Sequence, residues 1–526
     1  MTKNHKFFLT GIIFLALVVR VPGLFWGYLN FDFFEPDEYQ YLGIARNLIN
    51  QFDNEVVPDS SVTDQFNARA LGVHMAVLGY PLLKIFNLPD YFLLAVGRII
   101  SLSYSLILVV LVFIVGRKIF NDTRIGLLAG SFLAVFDLNT TYSHYGVPDI
   151  MNVFWFYFSL YWIFWLGKGF FEDKFQLSLK ELFLSTLGVA LSISSKFQVV
   201  PLIIFLGLLF LFLAGPASRQ NRVVLVITAL CTMAGVFYFS VGFDYNFHEF
   251  LKSKKELAEG ALDIIQNGKH WHWLYNPLLY FMALIGGTSF LAVGAGLASV
   301  FYFFKSEKNA VSRSFVYLMT VALAMVFFFL WVGDGSFVRH ANIFLPALAL
   351  LLAWGCVKFY GISLGGSKIG KVSLIGGVIL YTLLLTFFSQ YYFVRDNRYA
   401  VADFIKNNFG DKKIAYSAYA KIKNTPPSEP LSNIDGADIV VMHETSYSRY
   451  YKSFTVPFKL YTYCCHDTYL CLPKECLVTQ NILKGKTEYK LVKTFPVMNP
   501  LPERIVFKKL FGTYETFLGD VLIYAK

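Results

Sequence analysis

Charge is scarce in this chain. Only 15% of its 526 residues are Asp, Glu, Lys or Arg, where a soluble domain carries about 25%, and the mean hydropathy is +0.52. That excludes a soluble globular protein. Internal repeats and low-complexity tracts are lacking too. The N-terminal apolar run has no small-residue cleavage site and is too long for a signal peptide, so it is expected to stay in the protein. Cysteine is sparse, with six residues. Four of them (Cys464, Cys465, Cys471 and Cys476) fall in the last part of the chain, while Cys231 and Cys356 sit in apolar runs as plain filler.

What the chain does have is long apolar runs. Eleven stand out, at about 7–28, 91–115, 125–144, 148–167, 181–196, 198–214, 223–243, 277–304, 314–333, 337–357 and 372–394. Most are near the length at which a helix crosses roughly 30 Å of hydrocarbon. Lys and Arg concentrate in alternate short loops: Lys3, Lys6, Arg117, Lys118, Arg124, Lys168, Lys174, Lys180, Arg219, Arg222, Lys305, Lys308, Arg313, Lys358, Lys368 and Lys371 on one side. Almost only Lys196 and Arg339 lie on the other. The positive-inside rule then predicts a multi-pass protein of the plasma (inner) membrane, with a cytoplasmic N-terminus and an extracytoplasmic C-terminal domain. The net charge of +11 follows from this bias and gives no reason to expect a nucleic acid partner.

Residues 1–395 form the membrane part, with large outer loops at 29–90 and 244–276. Residues 396–526 change character. RYAVADFIKNNFG reads as a helix, and KKIAYSAY, ADIVVMHE, YKLVKTF and DVLIYAK read as short strands, so this segment is a small extracytoplasmic α/β domain. Its four cysteines favour one or two disulfides over a metal site in an exported compartment.

Charges within apolar runs are costly and mark function or pairing. Here they gather at the outer boundary: Arg20, Arg98, Asp137, Asp149, Lys196, Asp334 and Arg339, with Asp37 and Glu38 in the first outer loop. Arg20 and Asp137 are expected to pair with each other. A channel or proton relay would need polar groups through the full depth, so the pattern describes a one-sided site. PDEYQYLGIARNLINQF and ALGVHMAVLGYPLLKIF both read as amphipathic helices at the interface. The first opens with Pro36 and two acids, a helix-start signal that by itself would explain Asp37 and Glu38.

Four stretches carry a resemblance when taken in order. PDE followed by Tyr, SHYGVPDIMNVFW, LSISSKFQVVPLIIFL and FVRHANIFLPALALLLAWG resemble the motifs of the polyprenyl-phosphate-sugar-dependent glycosyltransferases of the GT-C class, in particular the protein O-mannosyltransferases and the lipid A aminoarabinose transferase. The resemblance covers roughly residues 7–395. It implies a GT-C type helical membrane fold and transfer of a sugar from a polyprenyl-phosphate donor to an acceptor hydroxyl on protein, lipid or cell-surface glycan. Carried over by position, Asp37 is the catalytic base with Glu38 beside it, Asp149 the second acid, and Lys196 and Arg339 contacts of the donor phosphate. Tyr41, Arg98 and His340 join the substrate pocket. Gln40 and His340 depart from the pattern, since the aminoarabinose transferase carries an arginine at the first position and the family often a tyrosine at the second. The first departure puts identical donor recognition in doubt.

The chemistry asks for the same residue types. A lipid phosphate leaves without a general acid, so one carboxylate near the acceptor hydroxyl and cations near the departing phosphate suffice. No second carboxylate is placed as a nucleophile, which predicts inversion at the anomeric carbon. A divalent metal could be accommodated but is not required. His270 and His272 in KHWHW make a weak metal pair and a better aromatic belt with the adjacent tryptophans, and His74 reads as structural. A transporter or flippase of lipid-linked sugars is the alternative. It would call for polar residues in both leaflets and an internal repeat. An O-antigen-ligase-type enzyme would call for an arginine- and histidine-based outer loop.

Overall fold

The computed structural model describes residues 3–27, 36–53, 69–172, 178–196, 199–214, 219–241, 272–332, 338–361 and 368–417. It also describes 419–420, 428–431, 434, 436–450, 473–497, 499–512, 514 and 518–526. Asp334, His270, Cys464, Cys465 and Cys471 fall outside these residues. Among the described residues, seven helices are long and apolar enough to cross a membrane, or eight with one bent pair. The eleven expected spans are therefore not all realised by length. The helices Ala70–Phe86, Thr123–Val135 and Val200–Ala214 are short, and two expected spans are broken.

The run at 125–144 stops at Phe136, whose backbone is extended, and restarts as the buried Asp137–Tyr142 turn of helix. The run at 277–304 bends by 113° between its two helices. The bend falls at Ser289, with φ at 141°, a backbone region that non-glycine residues seldom occupy. The Ser289 hydroxyl accepts the Ala292 N–H at 3.0 Å, and the Glu503 carboxylate accepts the Phe290 N–H at 3.1 Å. A broken helix inside a bundle persists when its freed backbone groups find such partners. Elsewhere helices pack by small residues. A Cβ added at Gly116 would lie 2.8 Å from the Cα of Gly126, so the Phe92–Ile119 and Thr123–Val135 helices touch backbone to backbone.

The C-terminal part is a small α/β unit, as its sequence leads one to expect. The Asn397–Phe409 helix starts on Asp396, whose side chain accepts the Arg398 N–H. The strands are β1 (Ile414–Tyr416), β2 (Ser428–Pro430), β3 (Ile439–His443), β4 (Lys490–Phe495) and β5 (Val521–Ala525). They form one sheet in the order β2-β1-β3-β5-β4, parallel among β2, β1 and β3 and antiparallel around β5. β1 and β3 are buried along their whole length, consistent with strands covered on both faces. Cys476 is disulfide-bonded, whereas Cys231 and Cys356 are free.

This domain is plugged into the bundle. On the Pro502–Phe511 helix, Arg504 pairs with Asp137 and lies 3.2 Å from the Ser389 hydroxyl. Glu503 accepts the Tyr381 hydroxyl at 2.8 Å. Trp26 donates to Asp396 at 2.8 Å, and the Tyr514 hydroxyl donates to the Ala283 carbonyl at 2.9 Å. The expected Arg20–Asp137 pair is thus corrected. Arg20 is fully buried but meets neutral acceptors, namely Ser105 Oγ, Asn139 Oδ1 and the carbonyls of Ala16 and Ala134, at 2.8–2.9 Å. The anion Asp137 is held from the other end of the chain.

Candidate active site

The Pro36–Phe52 helix begins where the sequence predicts, with Asp37 and Glu38 in its first turn. These adjacent carboxylates point to different surroundings. Glu38 is fully buried and faces Arg98, itself 1% exposed. Arg98 donates from Nε and Nη2 to the two oxygens of Glu38, each at 2.8 Å. Its Nη1 donates to the carbonyls of Leu24 at 3.0 Å and Trp26 at 2.7 Å. Glu38 also accepts the Gly146 N–H at 2.7 Å. A buried pair with this many hydrogen bonds is satisfied within the protein. Glu38 and Arg98, expected as a catalytic group and a substrate contact, face each other here and tie together the first helix, the interfacial helix and the loop before Asp149. Tyr41, expected in the pocket, is packed in the hydrophobic core at 4% exposure.

Asp37 faces the other way and joins an array built from four elements. Arg339, on the 3-10 segment Val338–Phe344, donates to Asp37 at 2.7 Å. Its Nε lies 4.0 Å from the Asp149 carboxylate. Asp149 opens the Asp149–Glu172 helix and pairs with Lys196, the last residue of the Leu179–Lys196 helix. The order in space is Asp37–Arg339–Asp149–Lys196. Side-chain exposures of 26% for Asp37, 16% for Arg339 and 27% for Lys196 set these groups apart from the sealed Glu38–Arg98 pair. His340 follows Arg339, with its ring centroid 6.5 Å from that of Tyr280.

The array lies on the side of the bundle that carries the C-terminal domain. The links are short: Asp137 to Arg504, Gly146 to Glu38, and Trp26 to Asp396. His144 is fully buried. Among the described residues no three His, Cys, Asp or Glu side chains are grouped to hold a metal ion.

The structure brings together Asp37, Asp149, Lys196 and Arg339, which the sequence singled out, and adds Glu503 and Arg504, which it did not. Nothing local in PERIVFKKLF marks those two, because their partners are 115 to 367 residues away. The Asp396–Arg398 pair, which meets Trp26, left only an N-cap signal.

No family model matches the chain, and no curated protein matches it. Among solved structures it is similar to ArnT from Cupriavidus metallidurans bound to undecaprenyl phosphate. That similarity has 11% identity and a TM-score of 0.46, over 98% of this chain and 97% of that one. It is similar to the same protein in the apo state at 11% identity and a TM-score of 0.46, over 99% and 98%.

Proposed function

We propose that this protein is an inverting membrane glycosyltransferase. It moves a sugar from a polyprenyl-phosphate carrier to an acceptor hydroxyl on the extracytoplasmic side, with Asp37 as general base. The observation that supports this most is the partly exposed Asp37–Arg339–Asp149–Lys196 array. It offers a carboxylate at one end and two cations beside it, which is what a single displacement at an anomeric carbon requires. The acceptor oxygen attacks that carbon as the bond to the carrier phosphate breaks, the acceptor proton passes to Asp37, and the carrier leaves as polyprenyl phosphate. Lys196 and Arg339 stabilise the charge growing on the phosphate. Asp149 holds Lys196 and, more loosely, Arg339 in the position where phosphate oxygens arrive. Glu38 and Arg98 fix the backbone on which Asp37 stands.

The transfer reading is preferred to transport of a lipid-linked sugar because the accessible charges form one compact group on the side of the C-terminal domain. Hexosyl and pentosyl donors, and protein, lipid or glycan acceptors, all fit this chemistry. Replacing Asp37 by Asn should abolish transfer while leaving donor binding intact. Loss of a general base costs roughly 10²–10⁴-fold, so an Asn variant keeping more than about a tenth of wild-type transfer overturns the assignment. A panel of polyprenyl-phosphate hexoses and pentoses offered to the purified protein identifies the donor by which one is consumed.

A further inference from the structure

Beneath the charged array lies a second tier of polar groups that are neutral, buried and unpaired. Asn152 is 5% exposed, Ser192 is fully buried and Asn342 is 1% exposed. Among the described residues, Asn152 Oδ1, Ser192 Oγ and both amide atoms of Asn342 have no hydrogen-bond partner. Each is set by one of the charged residues. Asn152 follows Asp149 by three positions on its helix, and Ser192 precedes Lys196 by four. Residues at these spacings share an α-helical face. Asn342 follows Arg339 by three on a 3-10 segment, where such residues eclipse.

The three also lie at one depth. Asp149 starts its helix, Lys196 ends its own, and Arg339 opens the Val338–Gly361 span. In each case the step to the neutral residue runs inward, by about 4.5 Å for Asn152 and about 6 Å for the other two. The Asp149–Glu172 helix packs against the other two elements. The Tyr157 hydroxyl donates to the Ile343 carbonyl at 2.8 Å, and Gly188 sits against Ser159.

Small polar residues between membrane helices usually pair across the interface and serve as glue. These do not, and an unpaired buried amide or hydroxyl is costly. Native proteins keep few such groups. Two carboxamides and a hydroxyl can donate and accept but carry no charge, which suits alcohol groups and not an ion.

We infer that Asn152, Ser192 and Asn342 form the subsite for the transferred sugar and bind hydroxyls of a neutral hexose or pentose, while Lys196 and Arg339 take the phosphate above. This rests on the glycosyltransferase reading and names the part of the site that distinguishes a loaded carrier from an empty one. The loaded carrier gains hydrogen bonds at the lower tier that the empty carrier cannot make.

The test compares a polyprenyl-phosphate sugar with plain polyprenyl phosphate, bound to the purified full-length protein. Wild type should bind the sugar-bearing lipid more tightly. Asn342→Leu and Asn152→Leu should each weaken that binding roughly tenfold, leave polyprenyl phosphate binding unchanged, and leave the melting temperature equal or higher. Asn342→Ser and Asn152→Ser serve where a leucine variant does not fold. If both lipids weaken alike, the groups are structural. If neither weakens, they hold only water. Either result overturns the subsite and leaves the transfer reading standing, whereas a wild-type protein that binds neither lipid overturns both.

Discussion

Acidification is expected to loosen the C-terminal domain through one histidine. His443 ends β3 and is fully buried. The Thr445 N–H reaches its Nδ1 at 3.1 Å and the Gly519 N–H its Nε2 at 3.3 Å. A neutral ring accepts at one nitrogen, and a protonated ring at neither. Burial, then the nearby Arg398 guanidinium, pushes the pKa down from 6.5 to about 3, with Asp396 opposing. In the window from pH 6.5 down to about 3 the unfolded chain binds the proton and the folded one does not, so stability rises with pH there. The contribution is intact above 6.5 and shrinks on the way down, by about 1.4 kcal/mol one unit below and about 2.7 kcal/mol two units below. Hydrogen exchange of the β3 and β5 amides in the full-length protein, at about pH 7, 5.5 and 4.5, reads this directly. His443→Asn, which does not titrate, should flatten the slope. Asp520, held high by burial and by Glu444 with Lys508 opposing, contributes with the opposite sign at the acid end. The slope just below 6.5 therefore belongs to His443. Equal protection at about pH 7 and 4.5, or an Asn variant with the wild-type slope, would refute the reasoning.

Arg504→Ala should leave the buried Asp137 as an unpaired charge and cost roughly 3–5 kcal/mol, seen as early melting in detergent. The double variant Asp137→Asn with Arg504→Met should recover much of that loss, and two single losses that simply add would contradict the pairing. Lys196→Ala should weaken polyprenyl-phosphate donor binding roughly ten- to a hundredfold, since a charge-assisted contact contributes about 1.5–3 kcal/mol, with melting little changed. Normal donor binding together with early melting would make Lys196 only a clamp for Asp149.

What could be read from the sequence was what depends on local pattern. The start of the Pro36–Phe52 helix, the Asn397–Phe409 helix and strands β1, β3, β4 and β5 all come from period and end signals. Asp149, Lys196 and Arg339 could be grouped because each stands at the outer end of its own apolar run, and Asp37 because it lies in the first outer loop. Asp37 and Glu38 could not be told apart, because one helix turn aims neighbours in different directions and only tertiary packing decides which is sealed. The breaks at Phe136 and Ser289 also escaped, since an apolar run looks continuous when the group that satisfies its break, such as Glu503, comes from far along the chain. Strand β2, three residues ending in proline, has too little pattern to be seen.

The Asp137–Arg504 pair has a consequence for how the protein is made. A chain synthesised from its N-terminus commits Asp137 to the bundle early, while Arg504 comes 367 residues later. Until that segment has emerged and docked, the broken helix at Phe136 waits for the guanidinium that pairs with Asp137. Completion of the bundle thus depends on a distant segment, the kind of long-range contact that makes folding slow and aggregation-prone. Products that stop short of Arg504 would be presented to proteases as unfinished bundles.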